Sequence, residues 1–359
     1  MEVKVVIGSN YGDEGKGLVS ANLAREAKQN NKKSLTVFYN GTVQRAHSFG
    51  NKVLHCLAAG EEFGSDTYYH PMFVVDPIAV WLTQSRVYID PNCRVILPCD
   101  VMENRKVEKD RGDKRHGSCG LGLFAAVKRS KKSEDNVVIN DFHNPYNLYF
   151  KLKEIEQRHP TEKDTLYNID MFMRAVAWIV SNCKIITFDD LVKNHQYDTI
   201  IYEGGQGLLL DQTNMDDFPH LTPSSVGMYN ITNDINKLNC TPELFYVSRT
   251  YMTRHGAGPM EFECNKEDIN PSIVDNVNQP NEWQGSLRFG RIDLNTLYQR
   301  IQKDAATYNN NSNINLVFTQ LNYTDNKIET NNGRVDIIKP DFCSKIYISN
   351  DKYYIFNKE

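Results

Sequence analysis

Two adjacent carboxylates, Asp13 and Glu14, stand inside the glycine-rich run Gly8-Ser9-Asn10-Tyr11-Gly12-Asp13-Glu14-Gly15-Lys16-Gly17, directly after the mostly apolar run Val3 to Ile7. A strand that ends in such a loop and leads into a helix cradles phosphate, because glycines let backbone N–H groups approach the anion and the helix N-terminus adds a positive dipole. Carboxylates repel a phosphate unless a metal or a proton lies between them. The loop therefore reads as a place for chemistry beside a phosphate. It departs from G-x-x-x-x-G-K-[ST], which needs a hydroxyl after the lysine and a glycine where this chain has Asn10; Gly17 follows Lys16. Asp13 is the candidate for the missing magnesium ligand, since Mg²⁺ prefers one or two carboxylates together with phosphate oxygens.

Four more stretches put reactive side chains beside glycines: Gly41-Thr42-Val43-Gln44-Arg45-Ala46-His47-Ser48, Glu203-Gly204-Gly205-Gln206-Gly207, Thr253-Arg254-His255-Gly256-Ala257-Gly258-Pro259 and Gly285-Ser286-Leu287-Arg288-Phe289-Gly290. In open α/β sheets, ligands bind at the carboxyl ends of the strands. Short β-branched or aromatic runs recur at Val3–Ile7, Leu35–Tyr39, Val87–Asp90, Val95–Leu97, Val137–Ile139, Ile185–Phe188, Thr199–Tyr202, Leu244–Ser248 and Leu316–Thr319. Helical patterns at Gly17–Lys28, Leu166–Ser181 and Ile292–Thr307 lie between several of them. This alternation predicts an α/β fold with a large central, mostly parallel sheet flanked by helices. Tyr308–Asn315 and Asn270–Asn281 read as exposed loops, and Arg105–Lys132 as a mobile active-site segment.

The 359 residues, of formal net charge -4, are expected to form one domain over 1–359 with mobile active-site loops. There is no basic field for nucleic acid, so small-molecule partners are expected. Eight cysteines without a C-x-x-C pair suit reduced thiols in a cytoplasm. No apolar run approaches the roughly 18 residues that a membrane span needs.

Taken with their order along the chain, the G-D-E-G-K-G loop, E-G-x-Q-G-x-L-L-D and R-x-G-A-G-P resemble adenylosuccinate synthetase over roughly residues 3 to 322. The resemblance implies a P-loop-like nucleotide-binding fold of that family's type and a magnesium-dependent ligase reaction in two steps. A carboxylate removes N1–H of a 6-oxopurine nucleotide, O6 attacks the γ-phosphate of a nucleoside triphosphate, and the amine of L-aspartate then displaces the new phosphate. Asp13 matches the family's general base and magnesium ligand, His47 its general acid, and Gln206 the glutamine that holds the purine. The backbone of Ala46 matches a second metal ligand. Gly12, Gly15, Lys16, Gly17, Gln320, Asn322 and Ser349 match the donor-nucleotide site, with Lys16 meeting the triphosphate as a mobile point charge. Gln44, Ser118, Thr222 and His255 match the substrate-nucleotide site; Ser118 is one of two registers within Gly117–Gly122. Ser286 and Arg288 match the aspartate loop. His55 is matched too, with a structural role equally open. A homodimer with shared active sites is implied, Lys128, Arg129 or Lys131 acting across it.

Three departures from the family pattern carry information. Where the family has T-K-L-D, this chain has Thr319-Gln320-Leu321-Asn322. An aspartate accepts both N1–H and the 2-amino group of guanine, whereas the Asn322 amide has one acceptor and one donor, which suits adenine. A hydrogen-bonding mismatch in a buried site discriminates by about 10⁴ or more, so ATP or dATP is the expected donor. In the aspartate loop a run of arginines is reduced; Arg288 remains to fork onto a carboxylate, and Ser286 stands near a lost arginine that also reaches toward the ribose hydroxyl, which favours a 2′-deoxy substrate. The chain is also shorter than typical members. Together these changes resemble the bacteriophage branch of the family, which converts dGMP to N6-succinyl-2-amino-2′-deoxyadenylate for 2-aminoadenine DNA; IMP with GTP is the alternative pair. The expected location is then cytoplasmic, the host's if the source is viral. A non-catalytic nucleotide switch would need a complete P-loop, and that is missing.

Overall fold

A computed structural model describes residues 1–43, 47–275, 282–283, 285–308 and 313–358, with the backbone alone at His47 and Ser48. Gln44, Arg45 and Ala46 lie outside the described residues.

Strand β1 (Glu2–Gly8) is buried at every position after Glu2, which is why it reads as an apolar run broken only by Lys4, whose ammonium reaches Glu26 at 3.3 Å: both faces of the strand are covered. It lies inside a ten-stranded sheet ordered Phe356–Lys358, Lys345–Ile348, Asn313–Thr319, Glu243–Arg249, β1, Thr199–Gly207, β2 (Ser34–Phe38), Asp66–Tyr69, Tyr88–Ile89 and Lys184–Ile185. Every pairing is parallel except the one that adds Phe356–Lys358 at the edge. The expected α/β architecture is what the structure has. Helix α1 (Lys16–Gln29) packs Val19, Leu23 and Ala24 onto Val6, Ile201, Phe245, Val247 and Val317 of the central strands. Each such aliphatic side chain contributes roughly 1.5–3 kcal/mol on burial, so the helix that follows the glycine loop is fixed to the strand that precedes it.

Parallel strands put all their carboxyl ends on one edge of the sheet. The loops after Gly8, Phe38, Gly207, Arg249, Thr319 and Ile348 therefore meet there. Of the four glycine stretches, Glu203–Gly207 closes its strand, Gly41–Ser48 and Thr253–Pro259 begin just beyond such an end, and Gly285–Gly290 pairs with the latter: Arg288–Gly290 is antiparallel to Met252–Arg254.

Some expectations are corrected. Val137–Ile139 forms only an isolated bridge, Arg94 to Val138, because the Asp141 carboxylate accepts Val138 N–H at 3.0 Å and starts a 3₁₀ turn at Ile139–His143. Phe188 opens a helix, Phe188–His195, capped by Thr187. The polar run ending at Asn315 enters a strand at Asn313, since Asn313 and Asn315 register against Glu243 and Phe245. Within Arg105–Lys132, the helices Pro98–Arg111 and Leu123–Arg129 leave 112–122, which opens with a 3₁₀ turn, and the short turn 130–132 outside them.

Candidate active site

The glycine loop bends through three residues with positive φ, Gly12 at 110°, Asp13 at 60° and Gly15 at 99°. Gly15 precedes the first turn of α1 and no side chain caps that turn, so its N–H groups face the loop's mouth. The two carboxylates part company here. Glu14 turns inward: its Oε1 accepts from Asn10 N–H at 3.0 Å and Gly12 N–H at 2.8 Å, and its Oε2 lies 2.8 Å from Lys16 Nζ. Asp13 faces outward, its side chain 30 % exposed, with Oδ2 3.5 Å from His255 Nε2. Glu14 is neutralised by Lys16 and adds no net repulsion at the mouth; Asp13 alone presents a carboxylate there. Its strained backbone is held by Arg249, whose Nε donates to Asp13 O at 2.6 Å while Nη2 reaches Asp275 Oδ2 at 3.1 Å.

On one side of Asp13 the predicted purine residues gather. Gln206 lies against the loop, since a Cβ on Gly12 would stand 3.1 Å from Gln206 Oε1. Thr222 N–H donates to Leu210 O at 2.9 Å, just beyond the end of the strand that carries Gln206. Thr222 Oγ1, Ser224 Oγ, Thr253 Oγ1 and His255 Nδ1 are all buried without a partner among the described residues. Buried polar atoms ordinarily find one, and hydroxyls grouped with a ring nitrogen beside an exposed carboxylate fit a polar ligand. The loop 112–122 closes this side: Ala257 N–H donates to His116 O at 2.9 Å, and Gly117 packs on Gly256. Ser118 there accepts from Asn104 Nδ2 at 2.9 Å.

On the other side the predicted donor residues gather. Thr319 Oγ1 donates to Glu14 O at 2.8 Å and its methyl lies beneath Gly15. Gln320 turns the chain with φ 64°, and Leu321 N–H donates to Ser349 O at 3.3 Å, which puts exposed Asn322 beside Ser349. The glycine loop, the outward Asp13 carboxylate and these polar side chains thus lie along one edge of the sheet.

Comparison with known proteins decides the family. A sequence model of adenylosuccinate synthetase matches residues 5–316. The chain belongs to that family. Among similar proteins, the adenylosuccinate synthetase of Halothermothrix orenii is 24 % identical over 96 % of this chain and 86 % of its own length, and that of Edwardsiella ictaluri 26 % identical over 72 % and 64 %. Among solved structures, the fully ligated adenylosuccinate synthetase of Plasmodium falciparum superposes with a TM-score of 0.70 at 18 % identity, covering 90 % of this chain and 77 % of that one. The succinoaminodeoxyadenylate synthetase of cyanophage S-2L, solved with dGMP and dATP, superposes with a TM-score of 0.58 at 16 % identity, covering 90 % and 85 %.

The structure places His255 and Gln206 against the loop that carries Gly12, Asp13, Gly15, Lys16 and Gly17, with Thr222 just beyond the Gln206 strand; Thr319, just before Gln320, lies against Gly15, and Asn322 lies beside Ser349. Other expected residues sit differently. His47 opens a short hairpin, its strand pairing with Lys52–Leu54; Gln44 and Ala46 lie outside the described residues. Arg288 is already engaged: it forks onto Glu263, with Nε 2.7 Å from Oε1, and Nη1 donates to Gly256 O and Gly258 O at 3.0 and 2.9 Å. That pairing holds the Glu263 carboxyl below its usual range. Ser286 is exposed nearby. Arg129 is buried on Asp100, Val95 O and Asp135 O of its own chain, which removes it from the residues able to act across a dimer and leaves exposed Lys128 and Lys131. His55 is exposed.

The family's magnesium fits the residues present. Asp13 offers carboxylate oxygens that accept no hydrogen bond from the described residues, and no cluster of three or more His, Cys, Asp or Glu occurs among them; a single carboxylate shared with phosphate oxygens is an ordinary Mg²⁺ environment. Sequence reading missed Arg249 and Asn40. Asn40 donates to Ser225 O at 2.9 Å and accepts from Gly205 N–H, tying the Gln206 strand to the Thr222 segment. Both sit at strand ends outside any motif, where only the sheet register shows what they meet.

Proposed function

We propose that this chain joins L-aspartate to C6 of dGMP through a 6-phosphoryl intermediate, driven by ATP or dATP, giving N6-succinyl-2-amino-2′-deoxyadenylate. The observation that carries the subtype is Asn322, standing where the family pattern has an aspartate and brought beside Ser349 by the bond from Leu321 N–H to Ser349 O. Its amide pairs with the acceptor and donor edge of adenine and opposes guanine. An enzyme whose substrate is a guanine nucleotide gains from a donor site that rejects guanine. The cyanophage protein's dGMP and dATP support the same pairing.

Asp13 takes the proton from N1, which raises electron density on O6. O6 then bonds to the γ-phosphorus as the bond to the β,γ-bridging oxygen breaks, and the nucleoside diphosphate leaves. The first-turn N–H groups of α1, and Lys16 once turned from Glu14, hold the phosphates in line, which is where most of the catalysis of phosphoryl transfer arises. His47 supplies the acid or hydrogen-bond donor at the transferred group. The amine of aspartate attacks C6, and phosphate leaves with O6. Mg²⁺, held by Asp13 with the backbone of Ala46, would neutralise the phosphate charge. Gln206 holds the purine edge, Thr222, Gln44 and Ser118 its 5′-phosphate, and Arg288, once freed from Glu263, the aspartate carboxylate. Lys128 or Lys131 completes the site across a homodimer.

The rival is the ordinary family reaction of IMP and GTP, favoured by the higher superposition on the Plasmodium enzyme. Incubation with aspartate and each pairing of dGMP or IMP with ATP, dATP or GTP separates them. Product from dGMP with an adenine donor is expected; product from IMP and GTP with none from dGMP refutes the proposal.

A further inference from the structure

The segment after Ser349 is tied at both ends of the active site. At its start, Ser349 O accepts from Leu321 N–H, next to Asn322, and Ser349 Oγ donates to Asp351 O at 3.0 Å. Asp351 then folds the chain into a tight turn, its Oδ1 accepting from Tyr353 N–H at 2.7 Å and Tyr354 N–H at 2.8 Å. At its end the turn grips the hairpin that begins with His47. Gly50 N–H donates to Lys352 O at 2.9 Å, and the Phe49 and Tyr353 rings meet edge to face at 5.8 Å. Gly50 has φ 59°, and any Cβ there would run into the Tyr353 ring, so glycine is required for the fit.

Arg25 of α1 makes this contact a three-way junction. Its guanidinium lies 4.2 Å from the Tyr354 ring centre, 5.4 Å from Phe63 and 5.8 Å from Phe49, and Nη2 donates to Tyr353 O at 2.8 Å. Asn22, one turn earlier, donates to the same carbonyl at 3.1 Å. The phosphate-binding helix, the base-reading end and the His47 hairpin are thus joined through a single turn of chain. Each cation–π contact at such a partly exposed place is weak, but several on one guanidinium fix its position.

We infer that Tyr353 is a positioning residue for His47: the turn 351–354 carries occupancy of the donor site at Asn322 and Ser349 to the hairpin, and sets it for phosphoryl transfer. This rests on the proposed reaction in taking His47 as the acid. Tyr353 is 40 % exposed and outside the core, so its truncation spares the fold.

The test compares wild type, Tyr353→Phe and Tyr353→Ala, with ATP and magnesium as the probe. In wild type and Tyr353→Phe, ATP slows hydrogen exchange at the amides of 49–54; in Tyr353→Ala it does not, and kcat falls about tenfold while the KM for ATP changes by less than about twofold, as expected when a catalytic group is displaced and binding is kept. Phe49→Leu, which removes the ring's partner from the other side, gives the same kcat loss. The inference is overturned if Tyr353→Ala keeps both the protection and kcat, or if it loses ATP affinity as steeply as kcat. Should wild type turn over with GTP and not ATP, the donor reading alone falls, and GTP replaces ATP as the probe.

Discussion

At the scale of single residues, the division of labour between Asp13 and Glu14 decides what the loop can do. Their order in sequence is uninformative, because side chains of adjacent loop residues point wherever the backbone sends them; the positive φ of Asp13 sends one outward and leaves the other on Lys16. Asp13→Asn keeps shape and hydrogen-bonding reach but removes the base. Turnover is expected to fall by about 10² to 10⁴, the usual range for general base loss, while calorimetric titration still shows dGMP binding; turnover within a few-fold of wild type refutes the role. Asn322→Asp exchanges a donor for a second acceptor. Because Asn322 is exposed at its edge, a mismatch there costs less than in a sealed pocket, about tenfold to a hundredfold. The ratio of kcat/KM for GTP over ATP is expected to rise by that much. An unchanged ratio means that Asn322 does not read the base.

At the scale of elements, the central strands were legible because burial on both faces leaves mostly apolar runs, as in Val3–Ile7, broken only by Lys4, and Leu244–Val247. What the sequence hid follows from the same physics. Asp66–Tyr69 and Lys345–Ile348 begin with charged residues and are short, so neither pattern nor length marked them, and Asn315 occupies a buried strand position because its backbone is needed by the ladder. The neighbours of the glycine loop were legible as motifs, but not the contact between them. Gly117, at φ 71°, would place a Cβ 2.7 Å from Gly256 Cα, so the loop 112–122 can close on the 254–259 stretch only while both remain glycine. Gly117→Ala is expected to destabilise the protein by about 1–3 kcal/mol and to raise the KM for dGMP several-fold with little change for ATP, since only the purine side is walled by that contact. Equal changes in both KM values would show that the loop serves the fold and not one substrate.

At the scale of the whole molecule, the site is one edge of a sheet whose other surfaces must hold the edge still, and one buried carboxylate shows where that stability depends on pH. Asp304, on the helix Leu294–Ala306, accepts from Tyr246 O–H at 2.8 Å on a central strand and from Met228 N–H at 3.1 Å beyond the Thr222 segment. Burial, offset in part by these two donors, pushes its carboxyl up to about 6. In the unfolded chain it titrates near 4. The native state therefore holds the proton more tightly than the unfolded state between those values, and stability from this group falls as pH rises from about 4 to 6, then stays at its lower level above that. One pKa unit corresponds to about 1.4 kcal/mol, so the effect is about 3 kcal/mol. Asp304→Asn keeps an acceptor for Met228 N–H and carries no charge at any pH. Relative to wild type its unfolding free energy, measured by urea denaturation, is expected to improve by up to that amount between pH 4.5 and pH 7.5. A difference that stays constant across this range would mean that Asp304 remains ionised in the folded protein, held by Tyr246 and Met228 as a charge and not as a neutral acid.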